Sequence, residues 1–128
     1  MSTTIEQERS LYALQKVIDI TAEAKDFTKL VTGLPAMILQ NGFGQTLAFL
    51  LAKGTKDGKA SHHEKHILAF DVIAGWLAQQ QLLHKTSHSS IMEELSKMEQ
   101  RDYLAAQQEA LKILEWVKRY ANADLSSR

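Results

Sequence analysis

Residues 34–50, LPAMILQNGFGQTLAFL, decide the fold of this chain. Because proline has no N–H to donate, Pro35 predicts the first turn of a short helix over residues 36–40. Asn41-Gly42 supplies residue types that tolerate the left-handed conformation in which helices commonly end. The apolar run over residues 47–52 then predicts a second helix. Glycine lacks a Cβ, so the glycines between the two segments predict a close-packed helical corner.

The N-terminal segment predicts a helix of six turns. A hydroxyl at Thr3 or Thr4 can cap its start. At 100° per residue the apolar side chains share one broad face, which predicts a helix packed on a core. The expected core-facing residues are Leu11, Leu14, Val17, Ile18, Ala22 and Ala24. Arg9 is expected on the opposite, solvated face.

Helical periodicity continues to the C-terminus, and no strand-like alternation interrupts it. The segment from Ser61 to about Leu83 is apolar on nearly all sides, which predicts a central helix. Residues 54–60, GTKDGKA, predict a flexible loop. The other expected helices are a short one that ends at Gly33, one over 91–98 and one over 102–123. The prediction is an all-α fold, a single compact bundle of five to seven helices that forms one domain over residues 1–128. Its expected core contains Leu47, Phe49, Leu50, Ile73, Trp76, Ile113 and Val117.

Composition restricts the class of protein. With 128 residues and 45% hydrophobic residues, the chain can bury a core and is not a disordered sequence. It contains no cysteine, which excludes disulfides and zinc–thiolate sites and favours a cytoplasmic location. The N-terminal sequence MSTTIEQERS has no signal pattern, and no apolar run is long enough to span a membrane. Fifteen basic and fifteen acidic residues give a net charge of zero, which argues against a free-standing nucleic-acid binder.

The residues that carry chemistry in enzymes are not arranged for catalysis here. No serine lies in a nucleophile-elbow context, and the carboxylates fall on polar helix faces. The cluster His62-His63-Glu64-Lys65-His66 has two histidines at i,i+4, as helical zinc sites do, but it lacks the zincin spacing and includes a lysine. We interpret it as a solvated helix start. The sequence therefore predicts a protein that is not an enzyme and has no metal and no cofactor.

Basic residues form two candidate nucleic-acid contacts. On the last helix, Arg101, Lys112 and Arg119 project in nearly one direction, and the stripe from Arg101 to Arg119 spans roughly 27 Å. Lysine and arginine so placed can follow phosphates along a nucleic-acid backbone, although a solvated helix face has the same pattern. The second patch surrounds the loop and comprises Lys53, Lys56, Lys59 and Lys65.

Three segments carry a resemblance to a known family: Leu34-Pro35, residues 41–50 (NGFGQTLAFL) and residues 116–121 (WVKRYA). With them, the chain resembles the small α-helical subunit of the Cmr (type III-B) CRISPR effector complex, the fifth subunit of the Cmr series. The family commonly has leucine where Phe43 stands, so the packing around this residue is expected to differ in detail from that of the family.

The resemblance implies a non-catalytic role in antiviral defence. Subunits of this kind stack in a short filament of copies beside the backbone subunits that carry the CRISPR RNA, and they help to form the channel for target RNA. The implied partners are therefore the other Cmr subunits, the CRISPR RNA and target RNA, and copies of the chain itself. Of the family's motif positions, Lys118 and Arg119 are the obvious phosphate contacts. The alternative is a helical protein–protein adaptor without RNA contact, whose partner would touch Leu104 or Leu111.

Overall fold

The structure is a computed structural model that describes residues 2–20 and 23–125, and in these ranges it contains six α-helices and one β-hairpin. The elements are α1 (Ile5–Ile18), α2 (Ala24–Asn41), α3 (Phe43–Gly54), β1 (Thr55–Lys56), β2 (Lys59–Ala60), α4 (Lys65–Gln79), α5 (His88–Lys97) and α6 (Gln100–Asn122). The predicted all-α bundle is confirmed. None of the described helices combines the length and the apolar character that crossing a membrane requires.

The helix α4 lies at the centre, as its all-round apolar sequence predicts. It packs against α2, α3 and α6, and Trp76 in its last turns is fully buried. Gly75 allows α1 to approach, because a Cβ there would lie 2.7 Å from the Tyr12 hydroxyl oxygen. Of the predicted core, Phe49 is only half-buried, against the ring of His66. The buried members are Leu47, Leu50, Ile73, Trp76, Ile113 and Val117.

Capping side chains set where α4 and α5 begin. The Glu64 carboxylate accepts hydrogen bonds from the N–H groups of His66 and Ile67, so α4 starts at Lys65 rather than at the predicted Ser61. The Ser87 hydroxyl accepts from the N–H of Ser90, and α5 therefore starts three residues before the predicted position 91.

The predicted break between two helices at Gly33 and Pro35 is wrong. The helix α2 continues through both residues, although Pro35 cannot donate a hydrogen bond to the preceding turn. Proline inside a helix costs about 3 kcal/mol relative to alanine. Burial of four large side chains on the core-facing side of α2 offsets that cost. These side chains are Phe27, Val31, Leu34 and Ile38.

The glycine corner is close-packed, as predicted. Gly42 ends α2 with φ +97°, a value that favours glycine, and α3 starts at the next residue. The N–H of Gly44 donates to the Tyr103 hydroxyl oxygen at 2.7 Å. A Cβ on Gly44 would lie 3.1 Å from the same oxygen. The hydrogen bond to Tyr103 therefore holds the corner against α6.

The N-terminal helix begins as predicted but is shorter and turned differently. Thr4 caps α1 in a capping box with Gln7. The helix ends at Ile18, and the predicted continuation includes residues 21 and 22, which lie outside the described residues. The predicted core face is wrong in part, because Leu11 is 56% exposed and Ile18 is 37% exposed. The buried residues of α1 are Arg9, Tyr12, Ala13 and Val17.

Arg9 lies on the core-facing side of α1, because it has a largely buried counter-ion there. Its Nε and Nη2 atoms donate to the two carboxylate oxygens of Glu109 at 2.6 and 3.0 Å, and Nη1 donates to Glu6 at 2.6 Å. The indole Nε1 of Trp76 donates to the same Glu109 carboxylate at 2.9 Å. The bonds from Arg9 lower the pKa of Glu109 despite the opposing effect of burial. One carboxylate thus joins α1, α4 and α6.

We expect Glu109→Gln to lower the free energy of unfolding by about 3–5 kcal/mol, since the variant leaves the buried Arg9 guanidinium with only the exposed Glu6 as a charge partner. Urea denaturation at neutral pH measures this difference. The control is Glu115→Gln, which removes a half-exposed partner of Lys118 and should cost less than about 1 kcal/mol. Equal effects of the two variants would contradict the assigned role of Glu109.

The stability difference between wild type and Glu109→Gln should also depend on pH. The pKa of Glu109 is lower in the folded chain than in the unfolded chain, where a glutamate titrates at about 4.3. The stabilisation is therefore complete above the unfolded value and is lost as the pH falls towards the folded value. Urea denaturation from pH 7 down to about pH 3 should show the difference shrinking with acid, and a constant difference would contradict it.

Candidate nucleic-acid interface

The outward face of α6 carries three exposed basic side chains in a line. Arg101, Lys112 and Arg119 project within about 20° of one another at 100° per residue. From the first to the last of them the helix rises roughly 27 Å. Among the described residues, none of the three forms an ion pair. The structure therefore brings together the stripe that the sequence predicts, and we call these three residues the α6 stripe.

Lys118, the fourth predicted residue of this helix, lies apart from the α6 stripe. It is one residue, and hence about 100°, away from Arg119. Its Nζ donates to the Glu115 carboxylate at 3.3 Å, and 29% of its side chain is exposed. Its carbonyl oxygen accepts from the Asn122 side chain. Lys118 is thus half-buried and paired, and a phosphate at this position would compete with Glu115.

The C-terminal end of the α6 stripe has carboxylates beside it. Arg119 lines a surface cavity of about 200 Å³ together with Glu6, Glu115 and Trp116. Both carboxylates already accept a hydrogen bond from another cation, Glu6 from Arg9 and Glu115 from Lys118. Their remaining negative charge still lowers the local potential. This negative charge weakens the attraction that Arg119 offers to a phosphate.

The second predicted patch is an ordered hairpin, and the prediction of a flexible loop over residues 54–60 is wrong. Asp57 and Gly58 have φ values of +53° and +73°, and positive φ at both central residues is the requirement of a type I′ turn. The two strands pair antiparallel, with Lys56 directly opposite Lys59. An Asp-Gly pair is a strong hairpin signal, and it was present in the sequence.

The hairpin holds lysines close together on a rigid base. Side chains directly opposite across such a pair have Cβ atoms about 5 Å apart, and like charges there are destabilising. Lys53 is exposed at the end of the preceding helix, and within the described residues it, Lys56 and Lys59 form no ion pair. The base is tight, because a Cβ on the buried Gly54 would lie 2.6 Å from Ile67. The fourth lysine of the patch, Lys65, is 3.7 Å from Glu23.

His62 and His66, on either side of the start of α4, do not form one site. The His62 ring lies 3.2 Å from the Asp71 carboxylate, whereas the His66 ring lies 2.7 Å from the Glu64 carboxylate. Burial acts to raise the pKa of Glu64, but hydrogen bonds from His66 and Ile67 outweigh it and leave that pKa below the ordinary value. In the part of the chain that the structure describes, no group of three or more potential ligands could hold a metal ion. Glu64 acts as a helix cap.

A comparison with protein families identifies the family of this chain. A family model described as CRISPR-associated protein (Cas_Cmr5) matches residues 5–124. The chain belongs to this family. The match extends from the first residue of α1 to beyond the end of α6, so it covers the whole described bundle. Membership of the Cas_Cmr5 family associates the chain with the other subunits of the Cmr complex, and the resemblance seen in the sequence is confirmed.

Proposed function

We propose that the chain is a non-catalytic subunit of a type III-B CRISPR effector complex in antiviral defence. It stacks with copies of itself beside the backbone subunits in the cytoplasm and helps to line the channel for target RNA. The observation that carries the RNA contact is the α6 stripe. Its three cations are exposed and, in the described ranges 2–20 and 23–125, form no ion pair with a carboxylate.

The zero net charge is consistent with this role. A protein that binds RNA alone needs a large basic excess, because affinity depends on how many phosphates it neutralises. A subunit needs only a few contacts with RNA, since the other subunits and base pairing with the guide supply the rest of the affinity. The contacts that we assign to this chain are the α6 stripe, the hairpin lysines Lys56 and Lys59, and Lys53 at the end of α3, with Lys118 as a weaker, paired member.

The non-catalytic part of the proposal rests on how the candidate groups are engaged. General acid–base chemistry needs a titratable side chain within hydrogen-bonding reach of a substrate in a suitable cavity. The carboxylates with a clearly lowered pKa, Glu64, Glu94 and Glu109, accept hydrogen bonds from the protein's own backbone or side chains. Each therefore has a structural role.

The adaptor without RNA contact remains a second candidate because apolar side chains lie on the surface. Leu104 on α6 is 44% exposed. Leu111, about two turns further along the helix, packs against the core. Leu104 is the residue of the two that a partner could reach. On this reading, charge changes on α6 would leave RNA affinity unaltered, and Leu104→Glu would block assembly.

Reversing the charges of the α6 stripe should weaken target-RNA binding by the assembled complex. In Lys112→Glu/Arg119→Glu, each lost phosphate contact should reduce the log–log salt slope by roughly 0.7 for a single strand. Both side chains are exposed, so their replacement opens no cavity. The measurement is target-RNA affinity of reconstituted complexes at several salt concentrations. Adding Lys118→Glu should change the slope less than either of the other two, since Lys118 is already paired.

The control is Lys85→Glu/Lys97→Glu, which makes the same change in net charge at two exposed positions, one before α5 and one at its last residue. This variant should keep the wild-type salt slope. If the α6 variant assembles normally and retains the wild-type affinity and slope, the assignment of RNA contact to this face is wrong.

Neutralising the hairpin lysines should change stability and RNA binding in opposite directions. In Lys56→Gln/Lys59→Gln the isolated chain should gain up to about 1 kcal/mol of stability, because two like charges no longer lie opposite each other. The complex should lose RNA affinity, with a slope smaller by about 1.4. Urea denaturation and salt-dependent binding measure the two effects.

The control for the hairpin is Lys25→Gln/Lys29→Gln, which removes two exposed charges from α2. We expect it to leave the salt slope of the complex unchanged. A hairpin variant that gains stability without losing affinity would mean that these lysines do not contact RNA.

A further inference from the structure

Trp116 lies between two cations of the α6 stripe. Lys112 precedes it by four residues and Arg119 follows it by three, and side chains at these spacings are neighbours on a helix surface. The Trp116 side chain is partly exposed, whereas Trp76 is fully buried. Within the described residues the Trp116 indole N–H donates to no acceptor, so it faces solvent. The α6 stripe therefore has an aromatic surface between two of its positive charges.

The Trp116 indole lines a slot between α1 and α6. This slot is a cavity of about 310 Å³, and Leu11 and Leu14 line it from the α1 side. Apolar side chains contributed by two different helices suit the two faces of a flat ring. Arg119 and Trp116 both line the adjoining cavity of about 200 Å³. The slot therefore opens beside a cation.

The polar side chains at the rim of the slot retain free hydrogen-bonding positions. Glu6 uses one carboxylate oxygen to accept from Arg9, and Gln7 uses its amide oxygen to accept from the Thr4 N–H. Among the described residues, the second Glu6 oxygen and the Gln7 amide nitrogen have no hydrogen-bond partner. The rim thus offers one acceptor and one donor, and the edge of a nucleobase presents groups of both kinds.

We infer that the slot binds one unstacked nucleobase of single-stranded RNA, which stacks on Trp116 while Lys112 and Arg119 contact the phosphates on either side of it. The inference rests on the proposed function, since it gives the RNA-contacting face of α6 a defined ligand. Proteins that bind single strands combine a basic surface with aromatic side chains on which bases stack. A duplex does not fit, because its bases stack on one another and present no face to the indole.

The carboxylates beside the slot decide which force dominates there. Glu6 and Glu115 line the cavity that contains Arg119, and their negative charge weakens its attraction for a phosphate. Stacking on the indole tolerates any base, because every base has a π-face, and it neutralises no phosphate. The slot should therefore contribute affinity that varies little with salt, whereas the two flanking cations contribute the salt-dependent part.

Target-RNA affinity of reconstituted complexes, measured at several salt concentrations, tests the inference. Trp116→Leu should raise the dissociation constant about fivefold or more and leave the log–log salt slope unchanged, because it removes stacking but no charge. Trp116→Phe keeps an aromatic face and should recover most of the affinity. The matched control is Phe49→Leu, which replaces a half-buried aromatic side chain of α3 and should bind RNA like wild type.

A photocrosslink locates the bound base. Target RNA that carries 5-iodouridine at one position at a time is irradiated in the complex, and the adduct is mapped by mass spectrometry after digestion. At one or more positions the adduct should form on Trp116. It should be absent from complexes that contain Trp116→Leu. Circular dichroism of each purified variant establishes that it folds.

The outcomes separate this inference from the RNA proposal. Wild-type affinity for Trp116→Leu, together with a reduced slope for Lys112→Glu/Arg119→Glu, would overturn the slot as a base site and uphold the RNA contact of α6. If both variants bind like wild type, both proposals are wrong. The absence of an adduct on Trp116 at every position would overturn the inference. A folded Trp116→Leu chain that no longer enters the complex would overturn it too, since Trp116 would then lie in a contact between subunits.

Discussion

The rest of the structure depends on the buried pair of Arg9 and Glu109. A guanidinium removed from water is destabilising unless its charge and its N–H groups are matched, and here two carboxylates match them. Trp76 adds its indole N–H to the same carboxylate, so the central helix shares the constraint. Rotating α1 by one residue would carry the guanidinium away from Glu109 and leave that carboxylate without its cation. The pair therefore fixes the rotation of α1 about its own axis.

That rotation explains why apolar side chains are left outside. A helix with Arg9, Tyr12 and Val17 inward must direct Leu11 and Ile18 outward, because the two sets lie on opposite faces. Hydrophobicity alone favours the reverse orientation, by an amount comparable with burying one or two aliphatic side chains. The observed orientation is the stable one if the ion pair and the indole hydrogen bond stabilise the fold by more than burial of those aliphatic side chains would. The orientation of α1 therefore accounts both for the burial of Arg9 and for the exposure of Leu11 and Ile18.

The sequence predicts the class of fold and its centre well, because hydrophobic periodicity reports on them directly. The continuous apolar character of α4 and the glycine corner before α3 both correspond to what the structure contains.

The predictions that are wrong have separate physical causes. Burial of Arg9 depends on a partner 100 residues away, which local patterning cannot register. The helix through Pro35 depends on tertiary packing that outweighs a local propensity. The hairpin could have been predicted, since the Asp57-Gly58 pair between lysines meets the requirement of its turn. The basic residues of the last helix were predictable as a stripe, but the pairing of Lys118 with Glu115 required coordinates.

The pairing of the first helix with the last has a consequence for synthesis. A ribosome adds about 5–20 residues per second, so Glu109 follows Arg9 after roughly 5–20 s. Throughout that interval the nascent chain carries an amphipathic segment whose docking site does not yet exist. Among the described helices, α1 and α6 are the contacting pair farthest apart in sequence, and closing so long a loop is entropically costly. The bundle is therefore completed only after α6 has been translated, and until then the face of α1 that packs on α6 has no partner.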